Sequence, residues 1–418
     1  MISVCGSSET KKIIATIRLP ASKSISNRLL ILQKLFPGKI TIRNLSNSDD
    51  TRIMQEALKM KSGIVQVKNA GTCMRFLTAY FSCIEKCEVE LHGDERMNQR
   101  PVKFLVDAMK KLGADISYLK NDGFPPLKVK GKKITGGEIS MDASLSSQYI
   151  SALILVAPTF ENGLTIALEG EIYSRSYIEM TFQLMQQFGF EISFSQNEIK
   201  VLPHSFTHSP IQKFINFKVE PDWSSAAFWY EIVALNDDAE IFLEGLSEKS
   251  LQGDSIISEI MKSFGVETFY QSNGILLKKN HQIIKSSNHQ IDLSSVPDLA
   301  PVIAVTAAAK NIRTELTGLK NLRIKESDRL SALETELKKC GFNISSKNDS
   351  LIVTPNHKPL TTNHKQQTYN DHRLAMAFAP LALIFGKIEI DDPGVVVKSY
   401  PDFWEDLKRA GFKLQLNS

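Results

Sequence analysis

The sequence predicts an α/β protein of two similar domains, each made of three copies of one unit that contains a fully buried helix. Five helix-like runs close on Gly113, Gly189, Gly265, Gly341 and Gly411, spaced 76, 76, 76 and 70 residues apart, and each hands over to strand formers. Six other runs are apolar nearly all round, the pattern of a helix without a solvent face. A length of 418 residues exceeds what one core holds, so six blocks divide naturally as three plus three.

The blocks follow in order. The first pairs "SISNRLLILQKL" with "DDTRIMQEALKMKSGIVQV", which ends on Gly63, only 50 residues before Gly113, and so looks like the same unit with a piece removed. The second holds "GTCMRFLTAYF" and closes on "KKLGADISY"; the third holds "SSQYISALILVA" and closes on "QQFGFEISF". The fourth, fifth and sixth run "SSAAFWYEIVAL" to "KSFGVETFY", "DLAPVIAVTAAA" to "KKCGFNISS" and "DHRLAMAFAPLALI" to "KRAGFKLQL". Glycine at each closing point suits the left-handed residue that ends a helix, and Lys, Glu and Gln on one side of these runs make them amphipathic. A period of 76 is too long for a solenoid unit of roughly 20 to 50 residues, so each block is a supersecondary unit of two helices and short strands. About twelve helices are expected on this count.

Composition narrows the function. Fifty basic residues against 46 acidic ones give a net charge of +4, which implies no general affinity for nucleic acid or membrane. Five cysteines, odd in number and without a Cys-x-x-Cys pair, read as reduced thiols of a cytoplasmic protein. The N-terminus lacks an apolar stretch of signal-peptide length, and no run reaches the roughly 18 apolar residues of a membrane span. Histidines are scattered, His372 alone lying in a motif, so no metal site is expected. Neither Gly-x-x-x-x-Gly-Lys-Ser/Thr nor Gly-x-Gly-x-x-Gly occurs, which argues against nucleotide hydrolysis and dinucleotide redox chemistry. No cofactor is expected.

The polar residues of interest stand just ahead of the helices. Ser48, Asp49, Asp50, Ser224, Ser225 and Ser250 read as ordinary N-caps, and Ser176 with Glu179 fits a capping box. Capping does not explain Lys23, Arg28, Arg100, Lys325, Arg329, Arg373 and Lys398, cations at helix starts where the macrodipole disfavours positive charge by about 0.3 to 1 kcal/mol each. A bound anion offsets that cost, because helix N-termini offer unpaired N–H groups and a positive field. Gly71, without a side chain, lets backbone N–H groups come close to such a ligand. Several such ends imply a small polyanion. Asp298 and Glu326 are the carboxylates within this cationic set, suited to a base held ionised by its neighbours or to an acid kept protonated by burial. Lys23, set among other cations, is a further candidate proton carrier.

In order, "LPASKSISNR", "NAGTCMRF", "RMNQRPV", "SLSSQYISAL", "VPDLAPVIA", "NLRIKESDRL", "NDHRLAMAFA" and "VKSYPDFW" resemble the motifs of the 5-enolpyruvylshikimate-3-phosphate synthase family, from about Leu19 to Trp404. The resemblance implies an inside-out α/β barrel of enolpyruvyl transferase type, with three βαβαββ repeats per domain and buried helices whose N-termini face an interdomain cleft. One domain would comprise residues 1–19 plus 222–418 and the other 20–221. The implied reaction moves the enolpyruvyl group of phosphoenolpyruvate to the 5-hydroxyl of shikimate 3-phosphate, by addition and elimination through a tetrahedral intermediate. Shikimate 3-phosphate would be bound by Lys23, Ser24, Arg28, Ser146, Ser147, Gln148, Ser174, Tyr177, Asp298, Asn321 and Lys325. Phosphoenolpyruvate would be bound by Lys23, Asn69, Gly71, Arg100, Gln148, Arg329, Arg373 and Lys398. Asp298 is the candidate base on the 5-hydroxyl, with Glu326 and Lys23, and His372 as a lesser choice, for the methylene proton. The enzyme is expected to be a monomer whose cleft closes on its substrates. Ala21, Cys73 and Phe76 depart from the glycine, alanine and proline common in the family, and leave the response to glyphosate open. The alternatives are transfer to UDP-N-acetylglucosamine, whose family carries a reactive cysteine where this chain has "GDERMNQRPV", and a non-catalytic anion- or RNA-binding protein on a related repeat.

Overall fold

The computed structural model describes residues 1–6, 12–204, 214–281, 288–356 and 365–416. Thirteen α-helices occur among them: α1 (Lys23–Leu35), α2 (Asp49–Ala57), α3 (Gly71–Ser82), α4 (Lys103–Lys111), α5 (Ser147–Val156), α6 (Arg175–Gln187), α7 (Trp223–Leu235), α8 (Ile257–Ile260), α9 (Ala300–Ala309), α10 (Arg329–Lys339), α11 (His372–Phe378), α12 (Ala382–Phe385) and α13 (Phe403–Arg409). The six apolar runs form α1, α3, α5, α7, α9 and α11, with α12 continuing the last of them. Of these, α3, α7 and α9 are buried along nearly their whole length, as an apolar circumference requires. None of the helices is long and apolar enough to cross a membrane.

The amphipathic runs form α2, α4, α6, α8, α10 and α13. Gly113, Gly189, Gly265, Gly341 and Gly411 follow five of them with φ between +79° and +110°, which a residue with a Cβ adopts only under strain. The fourth run is one α-helical turn between 3-10 segments Gly253–Ile256 and Met261–Phe264, where the β-branched Ile256, Ile257 and Ile260 weaken a regular helix. Gly63 departs from the expected pattern. Helix α2 stops at Ala57, and Gly63 lies inside the strand Ser62–Lys68, which pairs in parallel with Glu88–Gly93 of the second block.

Every block contributes one sheet, and five of the six have four strands. In four of these an edge strand runs parallel to its neighbour and a β-hairpin completes the other side, as in Ser62–Lys68, Glu88–Gly93, Leu127–Lys130 and Asp115–Tyr118. Among the described residues the first block has no hairpin, and Ile40–Arg43 pairs with Ile215–Lys218 alone. The sixth block takes Ile2–Cys5 from the start of the chain as a hairpin strand, antiparallel to both Lys387–Ile390 and Lys413–Leu416.

The chain forms two compact units, residues 22–219 and residues 1–21 with 220–418. The larger one holds both of the places where the chain leaves it close together: Asp222 N donates to Pro20 O at 2.9 Å, and Ala21 bridges Pro221. Its core includes Trp223, Trp229, Phe228, Ile303, Leu333, Phe378 and Phe403.

Helix α7 carries one anomaly within this core. Glu231 is fully buried, and neither carboxyl oxygen finds a hydrogen-bond partner among the described residues. Burial pushes its carboxyl well above the ordinary value of 4.5, so the folded protein holds a proton there that the unfolded chain releases. Stability from this group is therefore full below the ordinary glutamate value and declines as pH rises towards the folded one. Glu231→Met, which keeps the length and removes the polar group, is expected to stabilise the protein by about 1 to 3 kcal/mol at pH 8 and by less at pH 4.5. Urea unfolding at the two pH values measures the difference.

Candidate active site

In the unit of residues 1–21 and 220–418, three helix starts bring one ionic cluster together. The Asp371 side chain caps α11, accepting from Arg373 N at 3.0 Å, and places Arg373 in the first turn. The Asp328 side chain caps α10, whose first residue is Arg329. Asp298 lies in the 3-10 turn Pro297–Leu299 that leads into α9. Arg329, only 1% exposed, donates from Nη1 to Asp298 at 2.8 Å, from Nη2 to Glu326 at 2.7 Å and from Nε to Asp371 at 2.6 Å. Asp298 also meets Arg373 Nη2 at 3.2 Å and Lys325 Nζ at 3.4 Å, and Lys398 Nζ lies 3.7 Å from Glu326.

Four cations thus surround three carboxylates, and the electrostatics follow from that packing. Burial tends to raise the Asp298 carboxyl, but Arg373, Lys325 and Arg329 outweigh it and hold the group well below the usual carboxylate range. Burial opposes the charge on Arg329 too, and Asp371, Glu326 and Asp298 overcome it and raise the guanidinium above its ordinary value. Of the expected residues in this unit, Asp298, Lys325, Glu326, Arg329, Arg373 and Lys398 come together. Asn321 is buried in the 3-10 helix Lys320–Ile324, just ahead of Lys325. His372, also buried, begins α11.

A second set gathers in the unit of residues 22–219. Lys23, the first residue of α1, meets Asp50 at 3.1 Å, so the structure sets against a carboxylate the lysine that the sequence placed among cations. Cys73 Sγ donates to the backbone oxygen of the same Asp50 at 3.1 Å. Arg100 Nη1 reaches Asn69 Oδ1 at 3.5 Å, and its guanidinium lies over Gly71 at the start of α3. A Cβ on Gly71 would stand 2.7 Å from Arg100 Nη2, so this glycine is what lets the guanidinium lie against the helix end. Ser146 caps α5, Ser147 is its first residue, and Gln148 Nε2 donates to Thr72 Oγ1 at 3.4 Å. Arg28 Nη1 donates to Ser24 O at 2.8 Å and Nη2 to Tyr177 O at 3.0 Å. Ser174 precedes α6 in a left-handed conformation, φ +55°, with no side-chain cap.

Several capping expectations change: Ser48 caps α2, so Asp49 and Asp50 lie in its first turn, and Ser225 lies inside α7. Ser176 falls inside α6, and Glu179 pairs with Arg175 at 2.7 Å, so no capping box forms. Ser224 is not the cap of α7; Asp222 is, accepting from Ser225 N at 2.7 Å, while the Ser224 hydroxyl donates to Asp254.

Asp254 was not legible as a site residue. Burial, aided by nearby Asp298, pushes its carboxyl up to about 6 against the pull of Arg373 and the Ser224 hydrogen bond. In "LQGDSII" it reads as an ordinary helix-start aspartate, and its link to Ser224, 30 residues earlier, leaves no local trace. Asp50, read as an N-cap, is instead the second residue of α2 and the partner of Lys23. Among the described residues no group of His, Cys, Asp and Glu could hold a metal ion.

Solved structures with this fold cover the chain almost end to end. EPSP synthase from Acinetobacter baumannii superposes with a TM-score of 0.74 at 21% identity, covering 99% of both chains. The enolpyruvyl transferase NikO from Streptomyces tendae gives 0.72 at 14% identity, covering 99% of this chain and 98% of its own. Six repeats with cations at the helix starts therefore define an enolpyruvyl-transferase-type fold.

Sequence likeness goes further. The family model described as EPSP synthase (3-phosphoshikimate 1-carboxyvinyltransferase) matches residues 8–64 and 59–407. A 3-phosphoshikimate 1-carboxyvinyltransferase from Bacteroides fragilis is 46% identical over 411 residues, 98% of each chain, and one from Shewanella piezotolerans is 36% identical, covering 94% of this chain and 96% of its own. The chain belongs to the EPSP synthase family.

Proposed function

We propose that the protein transfers the enolpyruvyl group of phosphoenolpyruvate to the 5-hydroxyl of shikimate 3-phosphate, releasing phosphate, and that one pair of anionic substrates draws on both units. The observation that carries this is Asp298, a carboxylate held by Arg329, Arg373 and Lys325 at helix starts. A carboxylate so held is a weak base until something competes for its cations. Substrate phosphate and carboxylate groups do so, and as Arg373, Arg329 and Lys325 turn to the ligands the Asp298 carboxyl rises towards values where it can take the 5-hydroxyl proton.

Shikimate 3-phosphate is assigned to Lys23, Ser24, Arg28, Ser146, Ser147, Gln148, Ser174 and Tyr177 in one unit and to Asp298, Asn321 and Lys325 in the other. Phosphoenolpyruvate is assigned to Lys23, Asn69, Gly71, Arg100 and Gln148 with Arg329, Arg373 and Lys398. Glu326 and Lys23 are the groups for the methylene proton, delivered as the hydroxyl adds and withdrawn as phosphate leaves the tetrahedral intermediate. The guanidinium and ammonium groups stabilise the charge that develops on the phosphate. No cofactor is required for these steps, and the reading places the enzyme in the cytoplasm as a monomer.

Transfer to UDP-N-acetylglucosamine is the less favoured reading, because "GDERMNQRPV", with its 3-10 turn Met97–Gln99, has no cysteine. Purified protein with phosphoenolpyruvate should release phosphate when shikimate 3-phosphate is added and not when UDP-N-acetylglucosamine is. The opposite pattern would overturn the assignment.

The Arg100 packing yields a further expectation. Gly71→Ala pushes aside the far end of a flexible side chain rather than backbone, so the thermal midpoint should stay within a few degrees. The Michaelis constant for phosphoenolpyruvate should rise about tenfold, the value of one weakened charge-assisted hydrogen bond. Steady-state kinetics beside a thermal melt separate the two effects.

A further inference from the structure

Arg28 is buried in the unit of residues 22–219, and its hydrogen bonds can be counted. Nε donates to Thr181 Oγ1 at 2.7 Å, Nη1 to Ser24 O at 2.8 Å, and Nη2 to Ser151 Oγ at 3.2 Å and Tyr177 O at 3.0 Å. A guanidinium has five N–H groups, so four are committed inside the unit and one, on Nη1, is left. The partners lie on α1, α5 and α6, and a fourth helix supplies what the hydrogen bonds do not. Phe76 of α3, itself 1% exposed, sets its ring 5.4 Å from the guanidinium carbon. A ring face attracts a cation through its quadrupole, most strongly where water is excluded, as it is here.

We propose that Phe76 is a positioning residue for shikimate 3-phosphate: its ring backs one face of the Arg28 guanidinium and steadies the buried cation, so that the one uncommitted N–H is held ready for an anionic group of that substrate. This rests on the reading of the site given above. Hydrogen bonds from Nε, Nη1 and Nη2 set the plane of the guanidinium, and the ring against its face keeps the buried cation seated in that plane. An aliphatic residue at 76 would fill space without holding the cation. Phe76 acts through Arg28, a residue assigned to shikimate 3-phosphate, and lies five residues along α3 from Gly71, where Arg100 lies against the helix start.

The test replaces Phe76 with mono-, di- and trifluorinated phenylalanine, which withdraw charge from the ring face in steps and nearly preserve its shape. Phe76→Leu serves as the aliphatic end of the series. The Michaelis constant for shikimate 3-phosphate should climb stepwise, to about tenfold for the trifluorinated ring and for leucine. The constant for phosphoenolpyruvate and the turnover number should stay within about twofold. A flat series, or equal rises for both substrates, overturns the role of Phe76 while leaving the activity in place. Wild-type protein without turnover on shikimate 3-phosphate overturns the functional reading itself, and this proposal with it.

Discussion

Asp298→Ala is expected to bind both substrates and to lose about 10²- to 10⁴-fold in turnover, the usual contribution of a positioned general base. Binding survives because of what the carboxylate does in the free protein. It occupies Arg329 at 2.8 Å, Arg373 at 3.2 Å and Lys325 at 3.4 Å, and its removal leaves those cations with one competitor fewer for phosphate and carboxylate. Rapid-quench turnover together with equilibrium binding of each substrate distinguishes the outcomes. Turnover near the wild-type rate would remove Asp298 from the mechanism, and a loss confined to binding would make it a scaffold.

Arg329→Leu should be the most damaging single change for the fold. Asp371 and Arg329 are almost wholly shielded from water, and three carboxylates meet at this one guanidinium. Breaking a buried ion pair by removing one partner costs about 3 to 5 kcal/mol, because the other charge stays buried and uncompensated. Asp371 also caps α11 and so positions Arg373, which ties the stability loss to the site. Urea unfolding should show a loss in that range, and activity should fall below detection. A change under about 1 kcal/mol would mean that the carboxylates find other partners.

What could be read from the sequence was whatever local rules control. The glycines at 113, 189, 265, 341 and 411 were legible because a helix end needs a left-handed residue whatever lies around it. Gly63 shows where that rule fails: the same letters, glycine before strand formers, were recruited by a neighbouring sheet instead of ending a helix. The strand Ile2–Cys5 was equally hidden, because its partners Lys387–Ile390 and Lys413–Leu416 lie at the opposite end of the chain.

At the site, cations at helix starts stood out because the macrodipole makes them costly. Asp254, Ser151 and Thr181 did not, since each looks ordinary until its distant partner is known: Ser224 for the first, Arg28 for the other two. The partner of Lys23 was hidden for the same reason, as Asp50 reads as a cap residue and serves as its ion-pair partner.

The central claim is that one substrate pair draws on both units, and calorimetric titration of phosphoenolpyruvate in the presence of shikimate 3-phosphate tests it most directly. Arg100 belongs to the unit of residues 22–219 and Arg373 to the other. Arg100→Ala and Arg373→Ala should each weaken phosphoenolpyruvate by more than about tenfold, the worth of a charge-assisted hydrogen bond. Unchanged affinity in either variant would confine the ligand to a single unit and contradict the account.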